Sequence, residues 1–339
     1  MAVDGGKTIM TTVSVLGNGA WGTALALSAL RAGRKTLLWG RNSQIMEKMQ
    51  TLQENTQYLP GLKLDPGLQF TSDLNTAIEA DIILIVTPAQ QIRELITSVK
   101  KNIPQSSYIV LCSKGIEIET GLLMNELLED LLPKRSIAVL SGPTFAREVA
   151  SGSPTAATLA ASEITTSRWL AMSLHSQNFR LYPSDDLTGV ALSGALKNVI
   201  AIASGIATSR NFGESTRATL ITRGLAEITR LGKVKNAHPE TFLGLSGVGD
   251  LILSCTSTQS RNMSFGIRIG EYERASESPQ NTHLTEGVYT AKAIKLLSEK
   301  LKVEMPICTA VYNIIYEDAP IEAEIKSLLA RSMKNETYL

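Results

Sequence analysis

Lys197 is the residue whose setting most demands a chemical explanation. It lies inside the apolar run Val190-Ala191-Leu192-Ser193-Gly194-Ala195-Leu196-Lys197-Asn198-Val199-Ile200-Ala201-Ile202-Ala203. A run of that texture reads as a buried helix, where an ammonium is unfavourable without a ligand or partner. Gly194, Ser193, Ala201 and Ser204 lie three, four and seven positions away, so small side chains line its face and leave room for something large. Burial lowers a lysine's proton affinity towards neutrality, which suits it to exchange a proton with a carbonyl or alcohol oxygen. A structural ion pair or a snorkelling lysine is the alternative. His175, His238 and His283 are scattered, and Cys112, Cys255 and Cys308 form no C-x-x-C pair. No metal site or disulfide framework is therefore expected.

Other groups point to anions. Gly17-Asn18-Gly19-Ala20-Trp21-Gly22 follows the run Thr12 to Leu16 and leads into a helix-like stretch. Gly17 permits a tight strand-to-helix turn, Gly19 lets the backbone approach a pyrophosphate, and Gly22 allows close packing of a helix whose N-terminus faces the anion. The next strand-like run ends Leu37-Leu38-Trp39-Gly40-Arg41-Asn42, with no acidic residue to hold a ribose 2′-hydroxyl. Arg41 can pair instead with a 2′-phosphate, which favours NADP(H) slightly over NAD(H); a solvated surface arginine is the bland alternative.

Farther on, Gly247-Val248-Gly249-Asp250 leads through Thr256-Ser257-Thr258-Gln259-Ser260 to Arg261-Asn262 at a helix start. Ser260 fits an N-cap, and Arg261 with the first-turn amides fits a substrate phosphate, unless the loop is only a cap. Ser113-Lys114-Gly115 and Ser141-Gly142-Pro143-Thr144 each follow a strand-like run. Ligands of open α/β sheets bind at that rim, so Lys114 can hold an anion, and Gly142 and Thr144 can offer close backbone or hydroxyl contacts.

The elements that must place these groups change character midway. Runs at Thr12–Leu16, Thr36–Trp39, Asp81–Thr87, Tyr108–Cys112, Ile137–Leu140 and Thr155–Leu159 read as strands. Helix-like stretches at Ala20–Ala32, Ser43–Leu52, Ala89–Lys101 and Gly121–Leu131 separate the earlier ones. That alternation predicts a doubly wound α/β domain on a parallel sheet. After Pro183 helical spacing takes over, at Asp185–Ala207, Ser215–Leu231, Arg261–Arg274, Thr285–Lys300 and Pro306–Glu317, which predicts an all-α C-terminal domain.

The 339 residues suit two domains, placed at 11–190 and 191–339, with residues 1–10 read as a polar extension lacking the apolar core of a signal peptide. With 33 basic against 32 acidic side chains the net charge is +1, which supplies no broad attraction for nucleic acid or an anionic membrane. A reducing, cytoplasmic setting is expected from the cysteine usage.

The glycine motif Gly17 to Gly22 belongs to an ordered series. It is followed by Ser113-Lys114-Gly115-Ile116-Glu117, Leu140-Ser141-Gly142-Pro143-Thr144, Gly194-Ala195-Leu196-Lys197-Asn198, Leu220-Ile221-Thr222-Arg223-Gly224, Gly247-Val248-Gly249-Asp250 and Ser260-Arg261-Asn262. From about residue 11 to residue 331 this series resembles the soluble, bacterial-type NAD(P)-dependent glycerol-3-phosphate dehydrogenases. The resemblance implies a Rossmann-type doubly wound α/β N-terminal domain plus an all-α C-terminal domain. It also implies a homodimer that interconverts dihydroxyacetone phosphate and sn-glycerol 3-phosphate for glycerophospholipid synthesis.

By the same resemblance Lys197 is the catalytic acid/base, with Lys114, Gly142, Thr144, Asp250, Ser260, Arg261 and Asn262 around the substrate. Besides Gly17, Gly19 and Gly22, the positions implied for the cofactor are Ala20, Trp21, Arg41, Asn42, Lys114, Ala146, Arg261, Leu284 and Glu286. The chain departs from the family at Ala20, where many members carry Ser, and at Arg41-Asn42, which replaces a common His-Arg pair. Two rivals are a related reductase of the ketopantoate or 3-hydroxyacid type, and a noncatalytic dinucleotide sensor. The Asp250 and Ser260-Arg261-Asn262 apparatus argues against the first and Lys197 against the second.

Overall fold

The computed structural model describes residues 11–278 and 285–332. Its first half runs β1 (Thr12–Leu16), α1 (Ala20–Arg31), β2 (Lys35–Trp39), α2 (Ser43–Leu52), β3 (Gln69–Thr71), α3 (Leu74–Ala77), β4 (Ile82–Ile85), α4 (Ile92–Val99), β5 (Tyr108–Leu111) and α5 (Met124–Leu131). It continues with β6 (Ile137–Ser141), α6 (Ala146–Ser151), β7 (Thr155–Ala161), α7 (Ile164–Leu174) and β8 (Phe179–Ser184). Then come α8 (Leu187–Ser209), α9 (Gly213–Val234), α10 (Asp250–Thr256), α11 (Arg261–Gly270), α12 (Glu286–Leu301), α13 (Pro306–Tyr316) and α14 (Ile321–Leu329).

The eight strands form one sheet in the order β3-β2-β1-β4-β5-β6-β7-β8. Central strands such as β4 (Ile-Ile-Leu-Ile) are buried at every residue because both sheet faces are covered. Alternation divides their side chains: Val13, Val15, Ile82, Leu84 and Val110 join the core beneath α1 and α7. Leu16, Ile83, Ile85, Ile109 and Leu111 join the core beneath α4 and α5. The strand order reverses between β1 and β4, which places the turn after β1 at the crevice where doubly wound sheets bind ligands.

Two features depart from the expected parallel sheet. β7 pairs antiparallel to β6, with Leu140 opposite Leu159. The intervening α6 has only six residues, too short to carry the chain back for a parallel return. β3 and β8 are additional: β3 has three residues, none fully buried, and β8 carries Pro183, which a strand at the sheet edge tolerates.

α8 joins the two halves. Leu187, Val190 and Ala191 pack into the sheet core, whereas Leu192, Ala195, Leu196 and the residues from Val199 to Ile202 enter the helical core with α9, α11, α12 and α13. The helix is long and apolar enough to cross a membrane, yet its apolar window is entirely inside the structure. Its closest neighbour is α11. A Cβ added at Gly205 would come within 2.1 Å of Met263 O, and one at Gly266 within 2.1 Å of Ile202 O, so the two backbones touch at glycines.

Candidate functional site

The glycine-rich turn is built as its spacing predicts. Gly17 has φ +131°, a conformation L side chains rarely adopt, and its amide donates to Trp39 O at 3.0 Å. A Cβ at Gly22 would lie 1.7 Å from Gly17 O, so the helix packs directly on the turn. A Cβ at Gly19 meets no atom within 4 Å. Gly19 is the N-cap of α1 and supplies no side-chain cap, so the first-turn amides lack a side-chain acceptor. Asn55 braces the turn from the core, donating to Asn18 O at 2.9 Å and Thr23 Oγ1 at 2.8 Å. An open, amide-lined helix start fits the pyrophosphate of a dinucleotide.

Of the other residues expected at the dinucleotide, Ala20 and Trp21 open α1, and Trp21 Nε1 donates to Cys112 O at 3.3 Å across the strand rim. Arg41 is exposed beyond β2, and Asn42 caps α2, accepting from Ile45 N at 3.1 Å. Ala146 begins α6. Leu284 lies outside the described residues. Glu286 begins α12 and reaches the sheet rim, where Oε1 accepts from Ala89 N at 3.2 Å. Its other oxygen is buried with no hydrogen-bond partner. Burial raises its proton affinity, while the Ala89 amide and the charge of Arg261 oppose the rise.

The centre of the site is a group of three charges, Asp250 and Lys197 buried and Lys114 half-buried. Asp250, at the start of α10, is fully buried and accepts from Lys197 Nζ with one oxygen. With the other it accepts from Lys114 Nζ at 2.7 Å. Lys197 also donates to Ser254 Oγ at 2.9 Å, and Lys114 to Gly142 O at 3.4 Å. Burial is the largest influence on Lys197 and lowers its pKa to about 8; Asp250 opposes the fall and Lys114 adds to it. With both lysines protonated, one carboxylate faces two ammonium groups, and the pocket retains a net positive charge suited to an anion or a developing alkoxide.

The surrounding predicted residues divide into those facing this centre and those framing it. Gly142 follows β6, and Thr144 Oγ1 donates to its carbonyl at 3.2 Å. Ser260 caps α11, accepting from Met263 N at 3.3 Å, so its hydroxyl is committed to the helix. Arg261, one residue on, is exposed. Asn262 is buried and faces inward: it donates to Asn198 Oδ1 at 2.9 Å and accepts from Gly287 N at 2.9 Å. This side chain joins α8, α11 and α12.

Three polar residues at the site escaped the sequence reading of roles. Ser254 stands one helical turn after Asp250 on the same face of α10, an i, i+4 relation visible in sequence once that stretch is read as helix. Asn198 is the neighbour of Lys197. Ser141 Oγ is buried without a partner, and a Cβ at Gly194 would lie 2.8 Å from it. Among the described residues no cluster of three or more His, Cys, Asp or Glu side chains is placed to hold a metal ion.

Comparison with known proteins identifies the family over most of the chain. The family model described as NAD-dependent glycerol-3-phosphate dehydrogenase N-terminus matches residues 12–167, and its C-terminus counterpart matches residues 186–326. Glycerol-3-phosphate dehydrogenase [NAD(P)+] of Rhodospirillum rubrum is 44% identical over 330 residues, covering 97% of this chain and 95% of that protein. The corresponding protein of Parvibaculum lavamentivorans is 45% identical over 326 residues, covering 96% and 98%. The crystal structure of glycerol-3-phosphate dehydrogenase (gpsA) from Coxiella burnetii superposes with a TM-score of 0.90 at 39% identity, covering 95% of this chain and 99% of that one. On this evidence the chain belongs to the NAD-dependent glycerol-3-phosphate dehydrogenase family.

Proposed function

We infer that the protein is an NAD(P)-dependent sn-glycerol-3-phosphate dehydrogenase, interconverting dihydroxyacetone phosphate and sn-glycerol 3-phosphate and so supplying glycerol 3-phosphate for glycerophospholipid synthesis. The observation that carries this reading is the Lys197–Asp250–Lys114 group, set where the sheet rim meets the helical half. NAD(P)H supplies the hydride for reduction, and NAD(P)+ accepts it in the reverse direction. The glycine turn with Ala20 and Trp21, together with Arg41, Asn42, Lys114, Ala146, Arg261 and Glu286, holds that dinucleotide. The exposed Arg41 beyond β2 favours the 2′-phosphate of NADPH.

In the reduction, Lys197 as an ammonium donates a proton to the C2 oxygen while that oxygen gains negative charge, and is left as a neutral amine. In the oxidation the amine takes the hydroxyl proton back. Asp250 fixes the position of Lys197 Nζ, and Lys114 balances the carboxylate and meets the substrate's polar end. Arg261 and the amides at the start of α11, including that of Asn262, anchor the phosphate. Gly142 and Thr144 form the facing wall, and Ser260 shapes the anchor by capping its helix. Anchoring a remote phosphate turns binding energy into orientation of the reacting carbon.

The reading extends to two functional units, a dinucleotide-binding one at 11–190 and a substrate-binding one at 191–339, supported by the passage of α8 from one core to the other. It also extends to a homodimer in a reducing cytoplasm, the latter supported by three buried free cysteines. The test is NADPH oxidation with dihydroxyacetone phosphate or unphosphorylated dihydroxyacetone. The phosphorylated ketone should react far faster, and Arg261→Ala should narrow the gap by slowing that substrate much more than the unphosphorylated one. Equal rates for the two ketones in the parent protein would contradict the assignment.

A further inference from the structure

The loop that carries Lys114 is fixed by a different part of the chain, the turn between β4 and α4. On one side of Lys114, Ser113 Oγ donates to Thr87 O at 2.5 Å. On the other, the side-chain amide of Gln90 brackets the loop, with Nε2 donating to Ile116 O at 2.8 Å and Oε1 accepting from Ile118 N at 3.1 Å. Arg93 forms a two-point pair with the buried carboxylate of Glu117, at 2.8 and 2.7 Å. Thr120 Oγ1 donates to the same carboxylate at 2.5 Å. Only Lys114 and Gly115 lie between the two anchors, and a Cβ at Gly115 would meet Ala89 Cβ at 2.6 Å. Ala89 N also holds Glu286 of α12.

We propose that the turn Ala89–Arg93, through Gln90 above all, is a positioning element for the reaction: by holding the loop it keeps Lys114 on Asp250 and so governs how strongly Asp250 acts on Lys197. The proposal rests on the acid/base reading of Lys197 given above. Its consequence is electrostatic. The charged groups that face Lys197 are Asp250 from α10 and Lys114 from the loop after β5. Cys255, also on α10, is a buried thiol pushed up to about 12 and stays neutral. If the loop loosens and Lys114 leaves, Asp250 acts on Lys197 alone and Lys197 holds its proton more tightly.

The experiment follows the pH dependence of kcat in both directions. In the parent, reduction needs the ammonium and falls as pH rises past about 8, while oxidation needs the amine and rises through the same region. In Gln90→Ala both limbs should move to higher pH by about one unit, and kcat/KM for dihydroxyacetone phosphate should fall about tenfold. Arg93→Gln loosens the same loop through its further contact at Glu117, should shift the limbs in the same direction, and serves if Gln90→Ala folds poorly. Lys114→Ala is the benchmark and should shift the limbs most. Limbs unmoved in Gln90→Ala and Arg93→Gln but moved in Lys114→Ala would overturn the positioning role and leave the acid/base reading standing. Limbs unmoved in Lys114→Ala as well would overturn that reading of the three charges, and the proposal with it.

Discussion

An ammonium removed from water stays protonated near neutral pH only if a negative charge stands beside it, and Asp250 supplies that charge to Lys197 across 53 residues of sequence. Burial and Lys114 pull the other way, and the result, about 8, leaves both protonation states accessible in mildly alkaline solution. The role proposed for Arg41 follows a simpler rule, since an exposed guanidinium beyond β2 can pair with the 2′-phosphate that NADPH carries and NADH lacks. Arg41→Ala should weaken NADPH about tenfold and leave NADH unchanged in equilibrium fluorescence titrations. Equal losses would remove Arg41 from 2′-phosphate reading. Lys197 was legible in sequence because a charge inside an apolar helical run breaks the pattern. Its partners were less so. The pairing with Asp250 exists only in three dimensions, and a serine or asparagine such as Ser254 or Asn198 has many ordinary uses in a helix.

At the scale of elements, α13 is tied down by a carboxylate from another helix. Glu227 of α9 is buried and accepts from Ile307 N at 2.7 Å and Cys308 N at 3.2 Å, the first-turn amides left without intrahelical partners. Burial raises its pKa from 4.5 to about 7, against the pull of the two amides. Between those values the folded chain keeps a proton that the unfolded chain has released, so this residue's contribution to stability is full below pH 4.5 and is lost as pH rises through about 7.

The expected loss is roughly 3 kcal/mol over that window. Glu227→Gln should flatten the decline in urea-unfolding stability between about pH 5 and pH 7, and an unchanged slope would contradict this account. The helices α8 and α12 were readable from their periodicity, and α2 from residue 43 to 52. α10 was not, because Gly247-Val248-Gly249 before it reads as loop. β8 was obscured by Pro183, and β7's direction depends on the shortness of α6, which periodicity does not report.

At the scale of the whole molecule, the Lys197–Asp250–Lys114 group is assembled across the seam between two cores. The sheet rim contributes Lys114 and Gly142, and the helical half contributes Lys197, Asp250 and Ser254. A ligand that spans this seam binds the folded chain alone and therefore stabilises it, by about 2.7 kcal/mol at a hundred times its Kd. Thermal unfolding with NADPH thus reports whether a variant still assembles both halves. The division into a sheet half and a helical half was legible because strand runs cease near Pro183. The seam itself was not, since it depends on how α8 and α10 lie against the rim.

The most direct test of the account is single-turnover reduction of dihydroxyacetone phosphate by bound NADPH in Lys197→Ala, beside cofactor titration and thermal unfolding of the same preparation. The variant should fold, bind NADPH as the parent does, and reduce the ketone about 10² to 10⁴-fold more slowly. A folded, NADPH-saturated Lys197→Ala that reduces the ketone at the parent rate would contradict the claim that Lys197 moves the proton.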